Sequence, residues 1–242
     1  MKYKSSTKIV LLAFCAFFMV VFNSCDKEDV ALPQSDANAQ RVNDYNRVFP
    51  PNAVVLGKTR EEWMADYYRW VFQFDCANLP YLDSTGALQN LNQPNGVFFL
   101  NGKRTTVPLQ ITVPAGQRIF LGQPNIYAPY PNTLFGTPGP NQTLDEFLKI
   151  QMDGFLSNYT DNYAILDGDT LNLDGYRTWT GSFQVNLNPD LVNCVFPQTP
   201  QYLFAGGDFV MLKPLSPGQH TIKRGGIYYG YYLEWNYIIN QL

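Results

Sequence analysis

The chain has 242 residues, 45% apolar and 15% charged, with 17 Lys and Arg against 20 Asp and Glu and a single histidine. That is enough apolar chain for one sizeable core and too much for a disordered protein. A net charge of −3 excludes the basic footprint of a nucleic-acid binder, and the lone His220 excludes a multi-histidine metal centre.

Residues 1–24 read as an export segment. Lys2, Lys4 and Lys8 precede an unbroken apolar run of 14 residues, Ile9 to Phe22, too short for a comfortable membrane span. The run ends in Phe22-Asn23-Ser24-Cys25. This resembles a bacterial lipoprotein signal, with Phe22 where Leu is usual, and the resemblance implies cleavage before Cys25 and acylation of that cysteine. Asp26-Lys27-Glu28-Asp29 follows, similar to the acidic export signal of surface lipoproteins in Bacteroidota. An outer-membrane protein anchored through Cys25 and facing outward is expected; the alternative is a plain solvated tether on the periplasmic face. Residues 25–48 are polar and aperiodic, a tether, and 49–242 show no second linker or internal repeat, so one domain is expected.

Two helices open on capping boxes. Thr59-Arg60-Glu61-Glu62 leads into an aromatic stripe of Trp63, Tyr67, Trp70, Val71 and Phe74, and Thr143-Leu144-Asp145-Glu146 leads into Phe147, Leu148, Met152 and Phe155. Strands are expected at Val97 to Leu100, at Leu109 to Val113 and Arg118 to Leu121 (a hairpin or corner through Pro114-Ala115-Gly116), at Trp179 to Leu187, at Phe209 to Leu212 and at His220 to Ile222. The last is expected as one continuous strand, with Ile227, Tyr229, Tyr231, Leu233, Trp235, Tyr237 and Ile239 on one face and Tyr228, Tyr232, Glu234, Asn236 and Asn240 on the other. The pattern predicts a mainly β, single-domain β-sandwich or jelly-roll-like fold with two accessory α-helices.

Several separated blocks carry a broader likeness: Gly57 to Trp63, Gly96 to Gly102, Thr112 to Phe120, and Leu212-Lys213-Pro214-Leu215-Ser216-Pro217-Gly218-Gln219-His220-Thr221-Ile222. In that order they resemble a family of secreted bacterial proteins with phrases of the type GPVWFLAG, TVPAGKALFFP and LSPGKHTI. The resemblance spans roughly 55–240 and implies secretion and one domain; it carries no activity and no site residue. The chain departs from it in having Tyr67-Tyr68 for a Trp-Trp pair and in lacking cysteines near the first strands.

The candidate chemistry is sparse. His220, with Asp208 and Glu234 as partners, is either a general base or a histidine bonded to its turn, and no Gly-x-Ser-x-Gly elbow supplies a nucleophile. Asp167, Asp169 and Asp174 form a weak Ca²⁺ candidate without the terminal Glu of an EF-hand loop. Cys76 and Cys194 are a disulfide candidate in an oxidising compartment, or two inert thiols. Asp66, Asp75, Asp83, Asp208 and Glu234 offer carboxylates for glycoside hydrolysis, with no pair placed by sequence. Asn125, Tyr127, Tyr130, Asn132, Trp179, Tyr228 and Tyr232 supply rings and amides of the kind that pack on sugars, or are ordinary β residues. Asp83-Ser84-Thr85 and Asp169-Thr170-Leu171 resemble the short O-glycosylation sites of Bacteroidota. Together these lead to an expected non-catalytic ligand- or partner-binding envelope lipoprotein with no cofactor, its ligand a glycan or an envelope protein. A carboxylate-based hydrolase of extracellular polysaccharide and a purely structural envelope protein stand as alternatives.

Overall fold

The computed structural model describes residues 47–242 apart from 133, 134 and 197. The export segment, Cys25 and nearly all of the tether lie outside the described residues. Two helices, α1 (Arg60–Val71) and α2 (Leu144–Leu156), begin where the capping boxes stand. The Thr59 hydroxyl accepts from the Glu62 amide at 3.3 Å while the Thr59 amide donates to Glu62 Oε2 at 2.7 Å. Thr143 and Glu146 repeat the exchange at 3.2 and 2.9 Å. Each box satisfies two end amides, which stabilises a helix start by about 1 kcal/mol.

Nine strands follow among the described residues: β1 (Val97–Leu100), β2 (Leu109–Val113), β3 (Arg118–Tyr130), β4 (Tyr159–Leu166), β5 (Asp169–Leu171), β6 (Arg177–Trp179), β7 (Tyr202–Leu212), β8 (Gly218–Tyr228) and β9 (Tyr231–Gln241). They form two mixed sheets, one in the order β1-β3-β7-β6 and one in the order β2-β9-β8-β4-β5. β1 on β3 and β2 on β9 are parallel pairs; the rest are antiparallel.

The four-stranded sheet is covered on both faces. Phe99, Phe120, Phe209 and Met211 pack against Trp63, Tyr67 and Trp70 of α1. Phe98, Leu100, Ile119, Leu121, Val210 and Leu212 point the other way and meet Ile111, Ala164, Ile222, Tyr237 and Ile239 of the five-stranded sheet. Ala128 and Phe204 lie under Phe147, Leu148 and Met152 of α2. Double coverage explains the unbroken apolar run of β1 and the continuous burial of β7 from Leu203 to Leu212, and each buried Phe contributes roughly 1.5–3 kcal/mol. α1 therefore covers one face of the four-stranded sheet, and α2 and the five-stranded sheet share the other, since Phe204, Val210 and Leu212 alternate along β7 with Leu203, Phe209 and Met211; the far face of the five-stranded sheet is left to solvent. The disulfide between Cys76 and Cys194 ties the segment after α1 to the turn Pro189–Asn193.

One open alternative is resolved and two expected elements differ. Pro114-Ala115-Gly116 is the corner, not a hairpin, because β2 and β3 belong to different sheets. Beyond β6 the expected strand Trp179 to Leu187 reduces to one bridge, Phe183 with Leu203. The last strand is a hairpin: Tyr229 (φ +48°) and Gly230 (φ +81°) turn the chain between β8 and β9. A two-residue turn restarts the alternation, so Ile227 pairs with Tyr232 and not with the inward row of Leu233, Trp235 and Tyr237.

Candidate functional site

The outer face of the five-stranded sheet carries the most developed polar cluster. The inward positions of β8 and β9 are Ile222, Arg224, Tyr237 and Ile239, all buried, which leaves Lys223, Gly225, Tyr232, Glu234 and Asn236 outward. Gly225 sits in register between Tyr163 on β4 and Glu234 on β9. A Cβ at Gly225 would stand 2.6 Å from the Tyr163 hydroxyl, so glycine is what allows the Tyr163 phenol to cross β8 and reach Glu234. A bulge between Thr160 and Tyr163, with Asp161 at φ +52°, puts both of those residues on the outer face despite their odd spacing.

Three donors converge on one carboxylate. Tyr163 and Tyr232 both donate to Glu234 Oε2, the latter at 2.7 Å, and Asn236 Nδ2 donates to Oε1 at 2.9 Å. The two phenol oxygens are 2.5 Å apart, and the rings lie within 17° of parallel with centroids 6.5 Å apart. Arg104 donates to the Tyr232 carbonyl at 3.2 Å. Burial alone would raise the Glu234 pKa; the hydrogen bonds from Tyr163, Tyr232 and Asn236, with the Lys223 charge, outweigh it and hold the carboxyl below its ordinary value. Burial and the same carboxylate push both phenols up, so they stay protonated donors. The result is an ionised carboxylate framed by two neutral phenols, an amide and a half-exposed aromatic face. Such a group accepts hydroxyl hydrogen bonds and packs on C–H surfaces.

The other sequence candidates are dispersed. Asn125 sits at a β3 irregularity, its Oδ1 accepting from the Tyr68 hydroxyl at 2.9 Å and its Nδ2 donating to the Gly122 carbonyl. Tyr127 packs among Tyr68, Phe72 and Phe196 with centroids 5.5, 5.0 and 6.0 Å away, so both residues serve the core beneath α1 and not a ligand surface. Tyr130 and Trp179 belong to the cluster under α2, where Trp179 lies over Gly206, stacks on Phe204 and takes the Lys149 ammonium 5.1 Å from its ring. Asn132 is buried. Tyr228 stacks on Tyr159 at 4.5 Å beside the hairpin turn.

His220 lies at the opposite end of β8. Its Nδ1 is 2.8 Å from Asp167 Oδ2, not near Asp208 or Glu234, and its Nε2 is 2.9 Å from the Ser216 carbonyl. Both ring nitrogens are thus engaged within the fold, by a carboxylate and by a main-chain carbonyl, which is the arrangement of a histidine bonded to its turn. The Ser216 hydroxyl is farther from Nε2, at 3.4 Å, than the Ser216 carbonyl. The Ca²⁺ candidate falls for a similar reason: Arg47 donates to Asp167 and Asp169 at 2.8 and 2.7 Å, filling the place of a cation, and among the described residues no three His, Cys, Asp or Glu side chains gather to hold a metal.

The remaining carboxylates are structural. Asp66 is paired with Lys58 and Arg69, and Asp75 accepts from the Ala77 and Asn78 amides. Asp208 is bound by Arg177 and Asn162. Asp83 is buried, and although burial raises its pKa, bonds from Thr85, Gly86 and Leu88 bring it below its ordinary value. Beside Phe49, Arg60, Trp63 and Tyr176 a cavity has room for about one water molecule, far short of a small-molecule pocket.

Tyr163, Lys223, Asn236 and Arg104 are site residues that sequence reasoning did not single out. The readable signal was Gly225 and Gly226 inside a strand, which marks a close approach by another group. No protein-family model, curated protein or solved structure matches this chain.

Proposed function

We propose that this is a lipid-anchored protein of the bacterial cell envelope, held to the outer membrane through Cys25 and facing outward, whose β domain binds a glycan without transforming it. The export segment, the Ser24-Cys25 junction and the acidic residues behind it support the anchor. The observation that carries the binding role is Glu234 held ionised under Tyr163 and Tyr232 on an open sheet face. Sugars present alternating C–H faces and hydroxyls, which such a strip of ring, phenol, amide and carboxylate complements. A glycosidase acid needs its carboxyl held protonated, and Glu234 is shifted the opposite way.

The test is a thermal-shift screen against oligosaccharides with wild type and Glu234→Gln in parallel. A saccharide at about a hundred times Kd adds about 2.7 kcal/mol to wild-type stability, a shift of several degrees, and far less to the variant. A flat screen, or equal shifts in both proteins, overturns the proposal; turnover of the sugar would move the chain to the hydrolases.

A further inference from the structure

The Tyr163 hydroxyl, the Tyr232 hydroxyl and Glu234 Oε2 form a triangle of three oxygens that share two protons. The Tyr232 oxygen lies 2.7 Å from Oε2 and 2.5 Å from the Tyr163 oxygen, and the third side joins Tyr163 to Oε2. Each phenol has one proton to give, so both are spent inside the triangle and neither faces a ligand. Asn236 turns its Nδ2 to Glu234 Oε1 at 2.9 Å, and its own Oδ1 is buried without a donor among the described residues. The centre of the strip therefore offers lone pairs and one negative charge, and what it takes must donate.

A donor stands beside these oxygens on the same face. Lys223 is exposed and lies opposite Asn236 in the β8–β9 register, which places it diagonally from Glu234. Its charge acts on the Glu234 carboxylate from beyond ion-pair contact. Diagonal neighbours on an antiparallel pair are roughly 7–8 Å apart, which leaves room for a bridging group between the two side chains. Arg104, by contrast, is spent on the Tyr232 carbonyl. A group that fits between must donate to the oxygens and accept from the ammonium. Each hydroxyl donates once and accepts twice, so two hydroxyls on adjacent carbons do both.

Resting on the glycan proposal above, we infer that the strip recognises a free vicinal diol, one hydroxyl donating to the Glu234, Tyr163 and Tyr232 oxygens and its neighbour accepting from Lys223. The ligand class narrows to sugars whose C2 and C3 hydroxyls are both unsubstituted, as within 1,4- or 1,6-linked hexose chains of either anomeric form. A 1,3-linked chain consumes one of the pair at every internal unit. Substituents on both positions remove the proton that the oxygens need and leave a carboxylate lone pair unmatched.

The experiment titrates the full mature chain by calorimetry with 1,4-linked hexasaccharides of glucose, galactose and mannose, each also as its 2,3-di-O-methyl form. One unsubstituted sugar is expected to bind at least about tenfold more tightly than its methylated form. Lys223→Met is expected to weaken that sugar about tenfold at an unchanged melting temperature, because the side chain is exposed. Lys223→Arg, which keeps the donors, is expected to restore most of the affinity. Equal binding of free and methylated sugar, or equal binding by wild type and Lys223→Met, overturns the diol and leaves the glycan reading of the Glu234 strip standing. Equal binding by wild type and Glu234→Gln, or binding of none of the sugars, overturns the strip and the diol together.

Discussion

Arg224 on β8 donates to the main-chain oxygen of Asp208 on β7 at 2.9 Å, and its second terminal nitrogen donates to that of Leu121 on β3 at the same distance. One fully buried guanidinium thus ties the five-stranded sheet to the four-stranded sheet. Burial pushes its pKa down to about 10, with the nearby Asp208 carboxylate the strongest opposing influence. Asp208 is itself fixed by Arg177 at 3.0 Å and Asn162 at 2.9 Å, so the charge has a structured counter-ion between the sheets.

Removing that tie is predicted to be costly. Arg224→Leu removes the donor from the Leu121 and Asp208 carbonyls and one of the two cations near Asp208, a loss of about 3 kcal/mol. For a domain of this size that lowers the melting temperature by roughly 10 °C, measured by circular dichroism. An unchanged melting temperature would contradict the role given to Arg224.

The Cys76–Cys194 bond closes a long loop, with a sequence separation of 118. Reduction, or Cys76→Ser with Cys194→Ser, is predicted to destabilise the domain by about 4 kcal/mol through the greater freedom of the unfolded chain. Urea unfolding with and without reductant measures this; coincident curves would contradict it.

Acid should switch off the Glu234 strip. The folded-state pKa of Glu234 lies below its ordinary value of about 4.5, so the ionised form contributes above that value and its contribution is lost as pH falls through the lower folded-state value. Affinity for the saccharide that shifts wild type in the thermal screen is therefore predicted to be level from about pH 7 to about pH 5 and to fall only below the ordinary carboxyl value of 4.5. Glu234→Gln is predicted to bind weakly with a level profile. An affinity that declined between pH 5 and 7 would contradict this assignment.

The two helices and the β-rich fold were legible in the sequence, and of the site Tyr232 and Glu234 on one face of the last strand, but not Tyr163, Lys223 or Arg104. Capping boxes are local, so Thr59 and Thr143 mark the helix starts directly. Apolar strands such as Val97 to Leu100 announce themselves by composition. The outer strip depends on register: Tyr163 reaches Glu234 only because a bulge at Asp161 and Asn162 and a glycine at 225 bring three strands into line. The segment 161–163 is more than 60 residues from Gly225 and Glu234 in sequence. The Tyr229-Gly230 turn was hidden by its own tyrosine, since a turn without Asn or Asp reads as continuing strand. Tyr127 and Trp179 looked like ligand residues because a core tyrosine and a surface tyrosine are identical in one dimension.

The anchor is testable independently of the domain. Cys25→Ser is predicted to abolish incorporation of labelled fatty acid, and deletion of Asp26 to Asp29 to remove the protein from the cell surface while leaving it acylated. Unchanged labelling in Cys25→Ser, or unchanged protease accessibility on whole cells after the deletion, would contradict the anchored, outward-facing arrangement.

The central claim is that a glycan lies on the outer face of the five-stranded sheet. Nuclear magnetic resonance of the ¹⁵N-labelled mature chain, titrated with the oligosaccharides of the thermal-shift screen, tests it most directly. The predicted result is a set of amide shifts grouped at Tyr163, Lys223, Tyr232, Glu234 and Asn236, lost in Glu234→Gln. Shifts centred on Asn125 and Tyr127 or on His220, or none at any sugar concentration, would contradict it.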